Sequence, residues 1–105
     1  MSTSEKRLAM LEKITQNGSK DPFAWYGLAL EYKGAGRVDD ALSTFTTLRA
    51  TSPDYVPMYL MCGQMLVAAA RTEAAREWFE AGIAAARAKR DGHALSELEG
   101  ALAAL

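Results

Sequence analysis

The stretch WYGLALEY, Trp25–Tyr32, puts two large aromatic side chains at either end of a short apolar run, with a small residue, Ala29, between them. Nine residues further on, ALSTF, Ala41–Phe45, again places a small residue four positions before an aromatic one. Sliding the chain against itself by 34 residues brings Trp25 onto Tyr59, Ala29 onto Gly63, Gly36-Arg37 onto Ala70-Arg71, Asp39 onto Glu73, Ala41 onto Ala75 and Phe45 onto Phe79. A period of this length, with small residues and aromatics in phase, is the mark of a stacked-repeat protein.

Each period reads as a helix pair. The first helix runs from about Pro22 to Lys33, with Asp21 as N-cap and proline in the favoured first position. KGAGR ends it, because glycine tolerates the left-handed conformation at a helix C-terminus. A second helix starts near Val38, with Asp39 and Asp40 complementing the positive end of its dipole. It stops at TSPDYVP, where Pro53 cannot continue it. Pro57 opens the next helix, and Thr72 is expected to cap the one after, which should run to about Arg90.

The motif W-x2-L-A-x2-Y…A-x3-F…P in Trp25, Leu28, Ala29, Tyr32, Ala41, Phe45 and Pro53 resembles the tetratricopeptide repeat (TPR) signature, as found in small bacterial-type TPR proteins. In the second period Tyr59, Gly63, Ala75 and Phe79 fit, while Cys62 and Leu66 replace Leu and Tyr, and Arg87 stands where the closing proline would be. The flanks join by phase. SEKRLAMLEKITQNG looks like the second helix of a preceding half-repeat, with Ser2 and Glu5 as a capping box. HALSELEGALAAL looks like a capping helix with Leu95, Leu98, Leu102 and Leu105 in one stripe. The resemblance therefore implies an all-α, short helical-hairpin solenoid of about six helices, wound as a right-handed superhelix. Its parts are a half-repeat over 1–19, repeats over 22–55 and 56–89, and a cap over 91–105, in a single domain.

Composition agrees with a soluble, cytoplasmic globular domain. Half of the 105 residues are hydrophobic, 24% are charged, and the net charge is −1, which argues against binding nucleic acid by phosphate neutralisation. The most apolar run, PMYLMCGQMLVAAA from Pro57 to Ala70, is too short to span a bilayer, which takes roughly 20 residues. The N-terminus shows no secretion signal. One cysteine and one histidine cannot build a thiolate zinc site, and no cofactor or metal is expected. Cys62 reads as a small buried hydrophobe, His93 as an exposed bystander, and Asp39-Asp40 as helix-start charges, so no catalytic residue is assigned and the chain is not read as an enzyme.

In the geometry the resemblance implies, the first helix of each pair lines a concave groove. Phe23, Tyr26, Gly27, Leu30 and Lys33 would face it from the first repeat, and Pro57, Leu60, Met61, Gln64 and Val67 from the second. Asp91, Ala94 and Leu98 would continue that surface. Such a groove is mostly apolar and suits a protein or peptide with hydrophobic anchors, so an interaction module, an adaptor or scaffold, is the expected function. It lacks the Lys, Asn and Arg with which family members grip acidic chaperone tails; Tyr26, Leu30, Met61, Asp91 and Leu95 stand at the matching places. Two alternatives remain open: a self-associating homodimeric scaffold, and a small secretion-type chaperone. The methionine-rich helix is either core or binding surface.

Overall fold

The computed structural model describes residues 2–105 as six α-helices: α1 Thr3–Gln16, α2 Pro22–Gly34, α3 Val38–Thr51, α4 Pro57–Ala68, α5 Thr72–Lys89 and α6 Gly92–Ala103. No strand occurs among the described residues, in agreement with the all-α expectation. The chain forms two compact units, Met1–Ser52 and Pro53–Leu105.

In the first unit α2 packs against both α1 and α3. Local chemistry sets the helix limits. The Ser2 hydroxyl accepts from Glu5 N at 3.2 Å, and the Asp21 carboxylate accepts from Phe23 N at 3.0 Å, so orphan amides at both N-termini find side-chain partners. Leu28, Ala29, Ala41, Phe45 and Leu48 are buried. Within α3 the hydroxyls of Thr44, Thr46, Thr47 and Thr51 each donate to the carbonyl four residues back, which satisfies polar groups the sequence places inside a helix.

In the second unit α5 packs against α4 and α6, and α4 also touches α6. Small residues let these helices meet closely. A Cβ added to Gly63 would lie 2.3 Å from the Phe79 ring, and one added to Gly82 would lie 2.5 Å from Tyr59 Cβ. Tyr59 and Trp78 meet as a tilted aromatic pair with centroids 5.9 Å apart. Leu98 also sits over Gly82 and is 1% exposed. It belongs to the core of this unit and does not extend an open surface, contrary to the expectation from the capping-helix phase.

The turns repeat one device. Gly18, Gly36, Ala70 and Arg90 all have positive φ. In each case the next amide donates to the carbonyl five residues behind it: Ser19 to Ile14 O, Arg37 to Tyr32 O, Arg71 to Leu66 O and Asp91 to Ala86 O. These are Schellman closures. Two of them explain a departure from the sequence reading. Thr72 is the first residue of α5, not its cap; Arg71 holds the cap position and makes no side-chain capping bond, as does Arg37 before α3. The turn is so short that one residue closes the helix before it through its N–H and opens the helix after it through its C=O, to Ala41 N at 2.9 Å and Ala75 N at 3.0 Å. That double duty belongs to the backbone, so the position does not require a capping side chain.

Candidate functional site

On α2, burial of Leu28 and Ala29 fixes the helix rotation, and Phe23, Tyr26, Leu30 and Lys33 all keep solvent-accessible surface. Phe23 is the extreme, at 70% exposed. Phe23, Gly27 and Leu30 line an open depression together with Arg7, Met10, Leu11 and Ile14 of α1. Tyr26 and Lys33 are not part of that lining, so the four expected residues of this helix divide between two adjoining strips.

On α4, Met58, Tyr59, Cys62, Gly63, Met65 and Leu66 are buried. Leu60 and Met61 are half-buried, and Pro57, Gln64 and Val67 are exposed. The methionine-rich stretch thus divides: Met58 and Met65 are core, and Met61 remains at the surface. Cys62 is fully buried, as its surroundings in the sequence suggested.

The polar groups knit helices together. Tyr32 OH donates to Glu12 Oε2 at 2.6 Å, tying α2 to α1, and the Arg37 guanidinium lies 4.6 Å above the Tyr32 ring. Burial, then the bond to Glu12, pushes the Tyr32 phenol up to about 12. Arg37 bonds Asp40 at 2.9 Å, which raises its own pKa further. Arg7 pairs with Glu31 at 3.1 Å and Lys89 with Asp54 at 3.2 Å. His93 pairs with Glu97 at 2.8 Å on the exposed side of α6, with its side chain 89% exposed. None of these sets a nucleophile against a base in an enclosed cleft. Among the described residues no cluster of three or more His, Cys, Asp or Glu could hold a metal ion, and no helix is long and apolar enough to cross a membrane.

The sequence reading overlooked α1. Met10 and Ile14 are exposed beside Phe23. The signal was present: Leu8, Met10, Leu11 and Ile14 are more apolar positions than a helix needs to cover a single neighbour.

Residues 32–104 match the family model of the tetratricopeptide repeat. The crystal structure of a tetratricopeptide repeat domain protein from Salinibacter ruber is 36% identical, with a TM-score of 0.71 over 78% of this chain and 91% of that one. The solution structure of the same domain gives a TM-score of 0.72 at 36% identity, over 78% of this chain and 83% of that one. A Bordetella parapertussis protein solved in solution has the same fold, with a TM-score of 0.77 over 97% of this chain and 85% of that one, at 24% identity. A search of curated proteins finds no match. The chain is therefore a helical-repeat protein of the class that serves protein–protein interaction. It belongs to the tetratricopeptide repeat family.

Proposed function

We propose that the chain is an adaptor or scaffold module that holds a peptide or helix with hydrophobic anchors against the first helices of its repeats. The binding residues would be Phe23, Tyr26, Leu30 and Lys33 on α2, and Leu60, Met61, Gln64 and Val67 on α4. The observation that carries this reading is the partition of each helix. α2 and α4 are apolar nearly all round, yet the core takes one set of side chains and leaves these eight accessible. Apolar side chains held at the surface of an ordered helix are the usual anchor sites for partner segments. The cytoplasm is the compartment we assign, since a chain with one cysteine forms no internal disulfide and needs no oxidising compartment to fold.

The test is selection from a random peptide library on the immobilised 105-residue chain, followed by binding titrations read by tryptophan fluorescence. Apolar peptides should be enriched, and Leu30→Glu with Met61→Glu should weaken them at least tenfold with the thermal melt unchanged. Enriched peptides that bind the double variant as well as the parent would rule out these faces.

A further inference from the structure

Helix α1 packs on α2 through the side that carries Leu8, Leu11, Glu12 and Thr15, and Thr15 is the one buried residue of the helix. The neighbouring side of the helix, which runs along the edge of α2, is exposed. Lys6, Arg7, Met10, Lys13 and Ile14 fall at i, i+1, i+4, i+7 and i+8, which is one helix face. Met10 is 55% and Ile14 38% exposed, and Phe23 of α2 adds a third apolar side chain beside them. Both carboxylates of α1, Glu5 and Glu12, lie on other sides; Glu12 is turned toward α2 by its bond to Tyr32. Arg7 is already held by Glu31 of α2 at 3.1 Å, so two methionine-sized knobs flanked by Lys6 and Lys13 form the surface, which suits an acidic helix.

The same chain supplies one. α6 contains no lysine or arginine. Its inward stripe is centred on buried Leu98, and its outward side carries Glu97, Glu99 and Gly100, all exposed. A Cβ at Gly100 would meet nothing within 4 Å, so that side leaves room for large side chains to approach between two carboxylates. The bonds that already engage these carboxylates, His93 to Glu97 at 2.8 Å and Arg87 to Glu99 at 4.0 Å, are surface contacts that a lysine can share or replace. The pairing also repeats what the fold does within the chain. At Gly63 and Phe79 a helix with a small residue receives a large side chain from its neighbour.

We infer that the free face of α1 is a docking face for α6 of a second copy, so that chains associate head to tail. The two surfaces differ, so the contact is heterologous: forming it leaves one α1 face and one α6 face available for further copies. Apolar contact at Met10 and Ile14 gives the adhesion, and Lys6 and Lys13 against Glu97 and Glu99 give the register and make it sensitive to salt.

Light scattering on the 105-residue chain from micromolar to millimolar concentration tests this directly. The mean mass should rise with concentration and fall back toward one chain in high salt. Two surface variants then separate the faces. Met10→Glu disables α1 and leaves α6 intact; Glu97→Lys with Glu99→Lys does the reverse. Each variant alone should stay at the mass of one chain, and an equimolar mixture should recover a pair and stop there, because one working face of each kind remains. All three substitutions are at exposed positions, and circular dichroism melts check that both variants fold. A wild-type chain that stays monomeric throughout overturns the proposal. So does a dimer that either variant leaves intact, or a mixture that does not pair. Co-sedimentation with phosphatidylserine vesicles covers the remaining basic-face reading: vesicle binding lost in Met10→Glu, by a chain that never self-associates, would assign the face to anionic lipid instead.

Discussion

Trp25 and Tyr59, one repeat apart, make the same long-range bond with different chemistry. Trp25 Nε1 donates to the carbonyl of Ser19 at 2.8 Å, and Tyr59 OH donates to the carbonyl of Pro53 at 2.5 Å. In both cases the acceptor lies six residues back, in the segment leading into the helix. The aromatic position of the motif therefore does more than fill space. It fastens the entry loop onto the helix through a backbone carbonyl of that loop. Tyr59→Phe keeps the ring against Trp78 and removes only the donor, so it should cost about 0.5–1.5 kcal/mol, with a further contribution if the Pro53 carbonyl stays dry. Trp25→Phe should cost more, because ring area is lost as well. Urea titrations of the two variants against the parent measure both, and a change within error for Tyr59→Phe would show that water replaces the bond fully.

Gly63 is small for a reason that one substitution exposes. A methyl there would come within 2.3 Å of the fully buried Phe79 ring, far inside contact distance. Gly63→Ala should therefore destabilise by about 1–3 kcal/mol as overpacking, despite alanine's better helix propensity. Phe79→Ala should cost about 3–5 kcal/mol as a core truncation. The sharper result lies in the pair. If the clash is the cause, Gly63→Ala should cost less in a Phe79→Leu background than in the parent, and chemical denaturation of the four-member cycle gives that coupling.

The contrast between these residues and α1 shows what the sequence could and could not disclose. Positions that must be small, or must be aromatic, are specified by close packing, and they recur every 34 residues, so Ala29, Gly63, Phe45 and Phe79 were readable as core. Proline and aspartate at Asp21, Pro22 and Pro57 announced helix starts because their backbone chemistry admits few alternatives. Thr72 was misread because capping preference is a weak local tendency, and the tight Schellman turn overrode it by spending the cap position on Arg71. Leu98 was misplaced because phase alone assigned it to the open face, whereas in the structure it closes over Gly82 of α5, a contact that repeat spacing does not disclose. The exposed α1 face could not be counted from periodicity, since apolar spacing states which side chains share a face and not how many neighbours cover it.

Ala70 carries a left-handed backbone, φ 61°, at the position where the preceding repeat has Gly36 with φ 75°. An alanine pays a steric cost in this region that glycine does not, about 1–2 kcal/mol, partly offset by glycine's greater freedom in the unfolded chain. Ala70→Gly should therefore stabilise the protein by about 0.5–1 kcal/mol and raise its melting temperature. Gly36→Ala, the mirror experiment, should lower it. A melt in which both substitutions move the same way would mean that the turn relaxes when the residue changes.

Tyr32 gives the fold a limit on the alkaline side. Its phenol is pushed up to about 12 by burial and by donating to Glu12, against an unfolded value of 10.0. The folded state thus holds the proton more tightly than the unfolded chain does, and the stability this supplies is fully present below pH 10. As pH rises from 10 toward 12 the unfolded chain gives up its proton first, so unfolding becomes progressively easier, and the contribution is gone once the folded phenol has ionised too. The diagnostic quantity is the difference between the parent and Tyr32→Phe, which isolates this residue. The parent should be the more stable at pH 9, because the variant loses the 2.6 Å bond between α2 and α1. The gap in urea midpoint should narrow as pH rises through 10 to 12. A gap that stays constant across that range would show that the Glu12 bond does not distinguish the two protonation states of Tyr32, and that the stabilising part of the residue is its ring, held under the Arg37 guanidinium.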